Sequence, residues 1–252
     1  HGHMIARGLD PKKIMSELTG RKNGYSSGKG GSMHMFSKQN NFYGGHGIVG
    51  AQVPIGTGIA FTHKYKKEKQ ICRTYIGDGA MNNGQVFEAF NLASLWKLPV
   101  LYIIENNMYG MGTSVDRASA GSDLYKRGES FGIPGEIVDG MNVFKVIKSA
   151  AKAGKYVRDG KGPYILEVQT YRYKGHSMSD PAKYRSKKEL DSYKSNDPIE
   201  FVRKEILKKN IVSEQKLENI NNEIISEIKE AAEYALNSEF PSASSLYTDV
   251  YI

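Results

Sequence analysis

In "YIGDGAMNNGQVFEAF", Asp78 stands between Gly77 and Gly79, where an apolar run gives way to a helix-like pattern. Glycines on both sides allow close backbone approach, and in open parallel sheets ligands collect outside the carboxyl ends of the strands. A helix starting there aims free N–H groups and its positive dipole end at the same space, which favours a phosphate. A carboxylate and a phosphate repel unless a cation lies between them. The next apolar run, "PVLYII", ends in "ENNMYG" and places Asn107 29 residues after Asp78. That is about the length of one helix-plus-strand unit, so both side chains can converge at one sheet edge. Carboxylate, amide oxygen, backbone carbonyl and phosphate oxygens make a hard, octahedral set suited to magnesium. Either residue alone reads as a turn former. The pair, each at the end of an apolar run, points to a cation that bridges to a diphosphate.

Two other features compete for a chemical role. "GHGIVG" at 45–50 matches the dinucleotide fingerprint, but polar, turn-rich "SKQNNFYG" precedes it where a strand should stand. The acidic residue about 20 positions on, Glu68, lies in a lysine cluster rather than at a strand end. Glu88 in "VFEAF" resembles a general base, yet helical spacing turns it away from the strand end.

Positioning these residues requires an α/β fold, a parallel sheet with helices on both faces, because short apolar runs alternate with helix-period segments. Strands are expected at 71–76, 99–104, 136–139 and 164–172. In the crossover helix "GQVFEAFNLASLWK", Val86, Phe87, Phe90, Ala93 and Leu95 with Trp96 fall near one face, and "NVFKVIKSAAKAGKYVRD" gives a second such helix. Glycine-rich stretches at 24–31 and 44–58 read as loops or tight helix starts. From 196 the texture changes: Asp197 is an N-cap with Pro198 at the first helical position and Glu200 reaching back. A further helix runs through Leu217, Ile220, Ile224, Ile228, Ala231 and Ala235. The expected organisation is an α/β domain over 1–195 and a helical extension over 196–252, packed on that domain or on a partner.

Composition narrows the function classes. The chain has 252 residues, 39% of them hydrophobic, enough for a substantial core without disulfides. Its single cysteine, Cys72, sits in an apolar run and reads as a small buried hydrophobe in a reducing compartment. The net charge of +8 raises nucleic acid as a partner, but the lysines alternate with glutamates as on solvated helix faces, so no nucleic-acid role is expected. "LPVLYII" is far shorter than the roughly 20 residues that cross a bilayer, so no membrane role is expected. The opening "HGHMIARGLDPKK" has neither an initiator methionine nor a targeting pattern and reads as the interior of a longer chain, truncated at its N-terminus.

The stretches "GDGAMNNGQ", "LPVLYIIENNMYGMGTS", "YRYKGHSMSDPAKYR", "ELTGRKNGYSSGKGGSMHMF", "FYGGHGIVGAQVPIGTGIAF" and "LYTDVYI" cover nearly the whole chain. Together they resemble the alpha subunits of pyruvate dehydrogenase E1 components, a family of thiamine diphosphate-dependent 2-oxo acid dehydrogenases. The resemblance implies the thiamine diphosphate-binding fold, with Asp78, the Asn107 side chain and the Tyr109 carbonyl binding Mg2+. Gly79 and Ala80 would touch the diphosphate, and the backbone at Gly47 and Val49 would contact the aminopyrimidine ring. His176 would lie beside the diphosphate on a loop that orders when cofactor binds, and His1 near the substrate, as catalytic histidines. Arg172 is a candidate to stabilise an anionic intermediate. A tyrosine-arginine pair that contacts cofactor in the family would lie upstream of "HGH".

The activity implied is decarboxylation of pyruvate and transfer of the acetyl group to the lipoyl group of the E2 acyltransferase. The E1 beta subunit would complete the site in an alpha-two, beta-two heterotetramer, leaving this chain inactive alone. Acetoin dehydrogenase alpha subunits share "GDGA" and "ENN", and a subunit that keeps the fold without turnover is a further alternative. Ser177 and Ser114 match kinase-regulated serines of mitochondrial relatives, where a phosphate beside the diphosphate would block loop ordering. A third such serine is replaced by Lys183 in a loop one residue shorter. This looks bacterial and implies a cytoplasmic setting, with the mitochondrial matrix as the alternative. Native protein is therefore expected to carry no kinase-added phosphate; stoichiometric phosphate on Ser177 by mass spectrometry would overturn that expectation.

Overall fold

A computed structural model describes residues 1–250; Tyr251 and Ile252, which close "LYTDVYI", lie outside the described residues. In chain order the first elements are α1 (Gly2–Ala6), α2 (Pro11–Leu18), α3 (Gln52–Tyr65), β1 (Cys72–Gly77), α4 (Gly84–Leu95) and β2 (Val100–Asn106). Two short strands, β3 (Tyr109–Gly110) and β4 (Thr113–Ser114), precede α5 (Val115–Ala118), β5 (Gly135–Asp139), α6 (Val143–Arg158) and β6 (Tyr164–Gln169). The chain continues through α7 (Lys187–Lys194), α8 (Pro198–Lys208) and α9 (Glu214–Asn237). Contacts divide it into two compact units, 48–208 and His1–Gly47 with the residues from Lys209 on, so the boundaries fall away from residue 195.

The unit over 48–208 is built on a four-stranded sheet in the order β1-β2-β6-β5, parallel throughout. All four strands lie within a residue or a few of where the apolar runs placed them. Side chains alternate across the sheet, as a period of two requires. Val100, Tyr102 and Ile104 of β2 join Val53, Ala60, Val86, Ala89, Phe90 and Ala93 in one core, which α3 and α4 cover. Leu101 and Ile103 face the other way, with Leu166 of β6 and Ala153 and Val157 of α6. Helices thus cover both faces, as buried parallel strands demand.

Several expectations change in detail. The glycine-rich stretch 44–58 contains the first turns of α3, because small residues let that helix press onto β1. Leu95 and Trp96 are not core residues: they stay 69% and 44% exposed, since the buried stripe of α4 runs through Val86, Ala89, Phe90 and Ala93. Helix α7 was unforeseen, although Ser186 caps it by accepting from Glu189 N at 3.1 Å, a serine-to-glutamate capping spacing. Asp197 caps α8 as expected, accepting from Ile199 N at 2.8 Å and Glu200 N at 3.2 Å. That helix joins the sheet unit: Tyr173 donates to Asp197 at 2.9 Å, and Phe144 meets Phe201 edge-on at 5.9 Å.

The other unit pairs α2 with α9, whose Ala231 and Ala235 are fully buried while Ile220, Ile224 and Ile228 stay exposed. Its loop over 24–31 winds around the buried carboxylate of Glu17. That group accepts from the backbone N–H of Ser26 and Gly28 on one oxygen, and of Gly30 and Gly31 on the other. Four N–H donors offset the cost of burying the charge.

The contact of α3 with β1 gives a direct test. A Cβ at Gly56 would stand 2.1 Å from Thr74 Oγ1. Gly56→Ala should therefore lose about 1–3 kcal/mol in urea unfolding despite its better helix propensity, and part of the loss should return in the double variant with Thr74→Ala.

Candidate functional site

Parallel pairing fixes the site. Gly77 at the end of β1 lies opposite Glu105 near the end of β2, and Asn106 lies opposite Gln169 at the end of β6. Asp78 and Asn107 therefore leave the sheet at the same edge. A 3-10 turn over Asp78–Asn82, not α4, follows β1 directly; α4 begins only at Gly84, so the expected helix N-terminus is displaced along the chain. The strands β3 and β4 pair antiparallel, Tyr109 opposite Ser114, and fold the "NMYG" segment back toward Asp78. A Cβ on Gly79 would come 3.1 Å from the Cα of Gly110, so both positions need glycine for their backbones to approach.

Asp78 is 3% exposed. Burial pushes its carboxyl up from the usual range, while N–H bonds from its own backbone and from Asn107, and the Arg172 charge, pull it part of the way back. Asn107 Oδ1 and the Tyr109 carbonyl each lie 3.1 Å from one nitrogen, Nη1 of Arg172, which donates to both. Two oxygens next to a buried carboxylate thus already converge on a positive group. That arrangement fits a hard cation, which would share or replace the guanidinium contact. Among the described residues no cluster of three or more His, Cys, Asp or Glu side chains could hold a metal. Diphosphate oxygens would be hard ligands of the same kind.

Arg172 also ties the site to the loop that carries His176. Its Nη2 donates to the Met111 carbonyl at 2.6 Å and to the Tyr184 hydroxyl at 3.0 Å. Tyr184 in turn donates to Asp180 at 2.8 Å, and the same carboxylate oxygen accepts from His176 N at 2.6 Å. Bonds from His176 N and Ala182 N, then from Tyr184, hold the Asp180 carboxyl down to about 2. Arg185 donates to the carbonyls of Arg172, Tyr173 and Lys174. His176 and Ser177 themselves are exposed.

The structure brings Asp78, Gly79, Ala80, Asn107 and Tyr109 together; Gly79 is exposed and Ala80 buried. Val49 is exposed, and its carbonyl accepts from Gln85 of α4 at 3.0 Å. No strand precedes "GHGIVG", in keeping with rejection of the dinucleotide reading. Glu88 is exposed on α4. Gly47 and His1 belong to the other compact unit, where His1 Nε2 lies 3.2 Å from the Ser32 carbonyl. Asp180, Tyr184 and Arg185 were missed; their only signal was a run of hydrogen-bonding side chains in a loop after a strand.

The chain matches the family model for the dehydrogenase E1 component over residues 1–244. It is 56% identical over its whole length to the pyruvate dehydrogenase E1 component subunit alpha of Rickettsia bellii, covering 77% of that protein. The subunit of the same description from Rhizobium meliloti is 55% identical over the whole chain, with 73% of it covered. A mitochondrial one from Sminthopsis macroura is 51% identical over the whole chain, with 69% covered.

Because the folded Asp78 carboxyl is raised, the stabilisation from its protonation is present below the ordinary aspartate value of about 3.9 and is lost as pH rises through the folded value. At pH 7 without divalent cation the ionised group is therefore a net cost. Asp78→Asn should be at least as stable as the parent there, with the gap closing in acid. Divalent cation at one hundred times its Kd should stabilise the parent by about 2.7 kcal/mol and the variant not at all. Urea titrations at several pH values check both; a cation-free variant less stable than the parent at pH 7 would contradict the account.

Proposed function

This chain belongs to the dehydrogenase E1 component family, and on that ground we propose that it is the alpha subunit of a pyruvate dehydrogenase E1. In this reading it decarboxylates pyruvate with thiamine diphosphate and Mg2+ and passes the acetyl group to the lipoyl group of an E2 acyltransferase. The observation that carries the reading is the convergence of Asn107 Oδ1 and the Tyr109 carbonyl on one positive nitrogen beside buried Asp78.

Asp78, Asn107 and the Tyr109 carbonyl would hold the cation, with Gly79 and Ala80 beside the diphosphate. Thiamine diphosphate, when bound, supplies the electron sink for loss of carbon dioxide. His176 stands exposed on a loop pinned through Asp180, and Arg172 brings a positive charge that would offset developing negative charge. The family resemblance implies that the backbones of Gly47 and Val49 would contact the cofactor's ring and that His1 would lie near the substrate. Cys72 takes no part; burial pushes its thiol up, against a weak contact with Thr74, so it stays a neutral packing group.

An E1 beta subunit completes the assembly as an alpha-two, beta-two heterotetramer. An exposed aromatic surface supports a protein partner: Phe61 packs on Tyr65 at 6.1 Å and on Trp96 at 5.5 Å, yet Tyr65 stays 78% exposed and the other two 44%. Among the described residues no helix is long and apolar enough to cross a membrane. The higher identity to the two bacterial subunits than to the mitochondrial one supports a bacterial cytoplasm.

The test is acceptor-dye reduction by this chain coexpressed with its beta subunit, given thiamine diphosphate and Mg2+, with pyruvate and acetoin side by side. Pyruvate turnover that falls about 100- to 1000-fold in Asp78→Ala is expected, as for loss of a central charge-stabilising group. Turnover with acetoin alone moves the chain to the acetoin dehydrogenases, and none with either points to a subunit without turnover.

A further inference from the structure

Glu167 lies in the middle of β6, among Tyr164, Ile165, Leu166 and Val168, and is 0% exposed. A carboxylate so placed costs several kcal/mol unless each oxygen is matched by a donor. Both are. Oε1 accepts from Asn106 Nδ2 at 2.7 Å, and Oε2 accepts from Tyr125 N at 2.9 Å. The first bond fixes which way the Asn106 amide points. With Nδ2 committed to Glu167, Oδ1 faces Met108 and accepts its N–H at 3.1 Å. This closes a turn over Asn106–Met108 in which Met108 takes a φ of +74°, a strained setting for a residue with a side chain. The turn contains Asn107 and leads into Tyr109, the two residues whose oxygens converge beside Asp78.

We propose that Glu167 is a positioning residue for the cation site: through the Asn106 amide it holds the turn that aims Asn107 Oδ1 and the Tyr109 carbonyl at the cation. The inference rests on the reading of Asp78, Asn107 and Tyr109 as cation ligands. It makes a chemical demand that a merely apolar or merely polar side chain does not meet. A carboxylate offers an acceptor to each of two donors, whereas an amide of the same shape offers one acceptor and one donor group. In Glu167→Gln, an oxygen turned to Asn106 leaves an NH2 facing the Tyr125 N–H. An oxygen turned to Tyr125 leaves an NH2 facing Asn106, and that pair is remade only if the Asn106 amide flips, which puts its own NH2 against the Met108 N–H and opens the turn. Asn106→Ala removes the same cap directly and leaves the bond to Tyr125 intact.

The experiment measures Mn2+ affinity by electron paramagnetic resonance of free Mn2+, with saturating thiamine diphosphate, on the chain coexpressed with its beta subunit. Melting temperature and kcat at saturating Mn2+ are recorded beside it. Glu167→Gln and Asn106→Ala are expected to raise the Mn2+ Kd about 10- to 100-fold, the usual loss when a group that orients a metal ligand is removed, with kcat at saturation little changed. Leu166→Ala serves as the control: Leu166 packs in the core on the opposite face of the same strand, so it should lower the melting temperature and leave the Kd alone. Asn106→Ala decides the matter by itself if Glu167→Gln fails to assemble. A parent Kd matched by Asn106→Ala, or an equal loss of affinity in Leu166→Ala, overturns the proposal. If the parent shows no Mn2+ binding that Asp78→Ala removes, the cation reading fails first and takes this inference with it.

Discussion

A carboxylate almost wholly removed from water at the end of β1 is the charge around which the site is arranged. Asp78 has two backbone N–H donors and a nearby guanidinium, yet its carboxyl still sits above the normal range, so the compensation within the chain is incomplete. Incomplete compensation is what a binding site for positive charge needs: a residue fully satisfied by its own chain would gain little from a cation. The parallel register of β1 with β2 brings the other proposed ligands to that charge, because it makes Asp78 and Asn107 leave the sheet side by side.

The two compact units each hold a buried structural acid. Glu17 closes a glycine-rich loop with four N–H donors, and Glu167 sets the Asn106–Met108 turn with two. Both are matched donor for oxygen, as a structural carboxylate should be, whereas at Asp78 the effect of burial outweighs that of the N–H bonds and the Arg172 charge. Arg172 links Asn107 and Tyr109 to the loop of His176 through Tyr184 and Asp180, so the proposed cation site and the His176 backbone N–H share one hydrogen-bond chain.

The sheet was legible because parallel strands buried on both faces leave uninterrupted apolar runs, and "PVLYII" is such a run. The meeting of Asp78 and Asn107 at one sheet edge was legible for a related reason: strand ends are marked by the change from apolar to glycine and amide residues. Helix α3 was left as one of two alternatives, loop or tight helix start, because glycines that usually signal loops serve there to bring helix and strand together, as the close approach of Gly56 to Thr74 shows. Leu95 and Trp96 misled because helical period gives a face but not its width, and these two lie beyond the edge of the buried stripe. Glu167 left a signal that went unread: an acid in the apolar strand "YILEVQ" has to be paired. Its partner, an asparagine 61 residues earlier, becomes visible only when β2 and β6 are laid together.

The measurement that bears most directly on the cation site is anomalous diffraction from Mn2+ in crystals of the assembled enzyme grown with thiamine diphosphate. The account predicts one strong peak at the shared end of β1 and β2, bonded to an Asp78 oxygen, Asn107 Oδ1 and the Tyr109 carbonyl at roughly 2.0–2.3 Å. A peak elsewhere, or cofactor bound with Asn107 and Tyr109 still held only by Arg172, would contradict it.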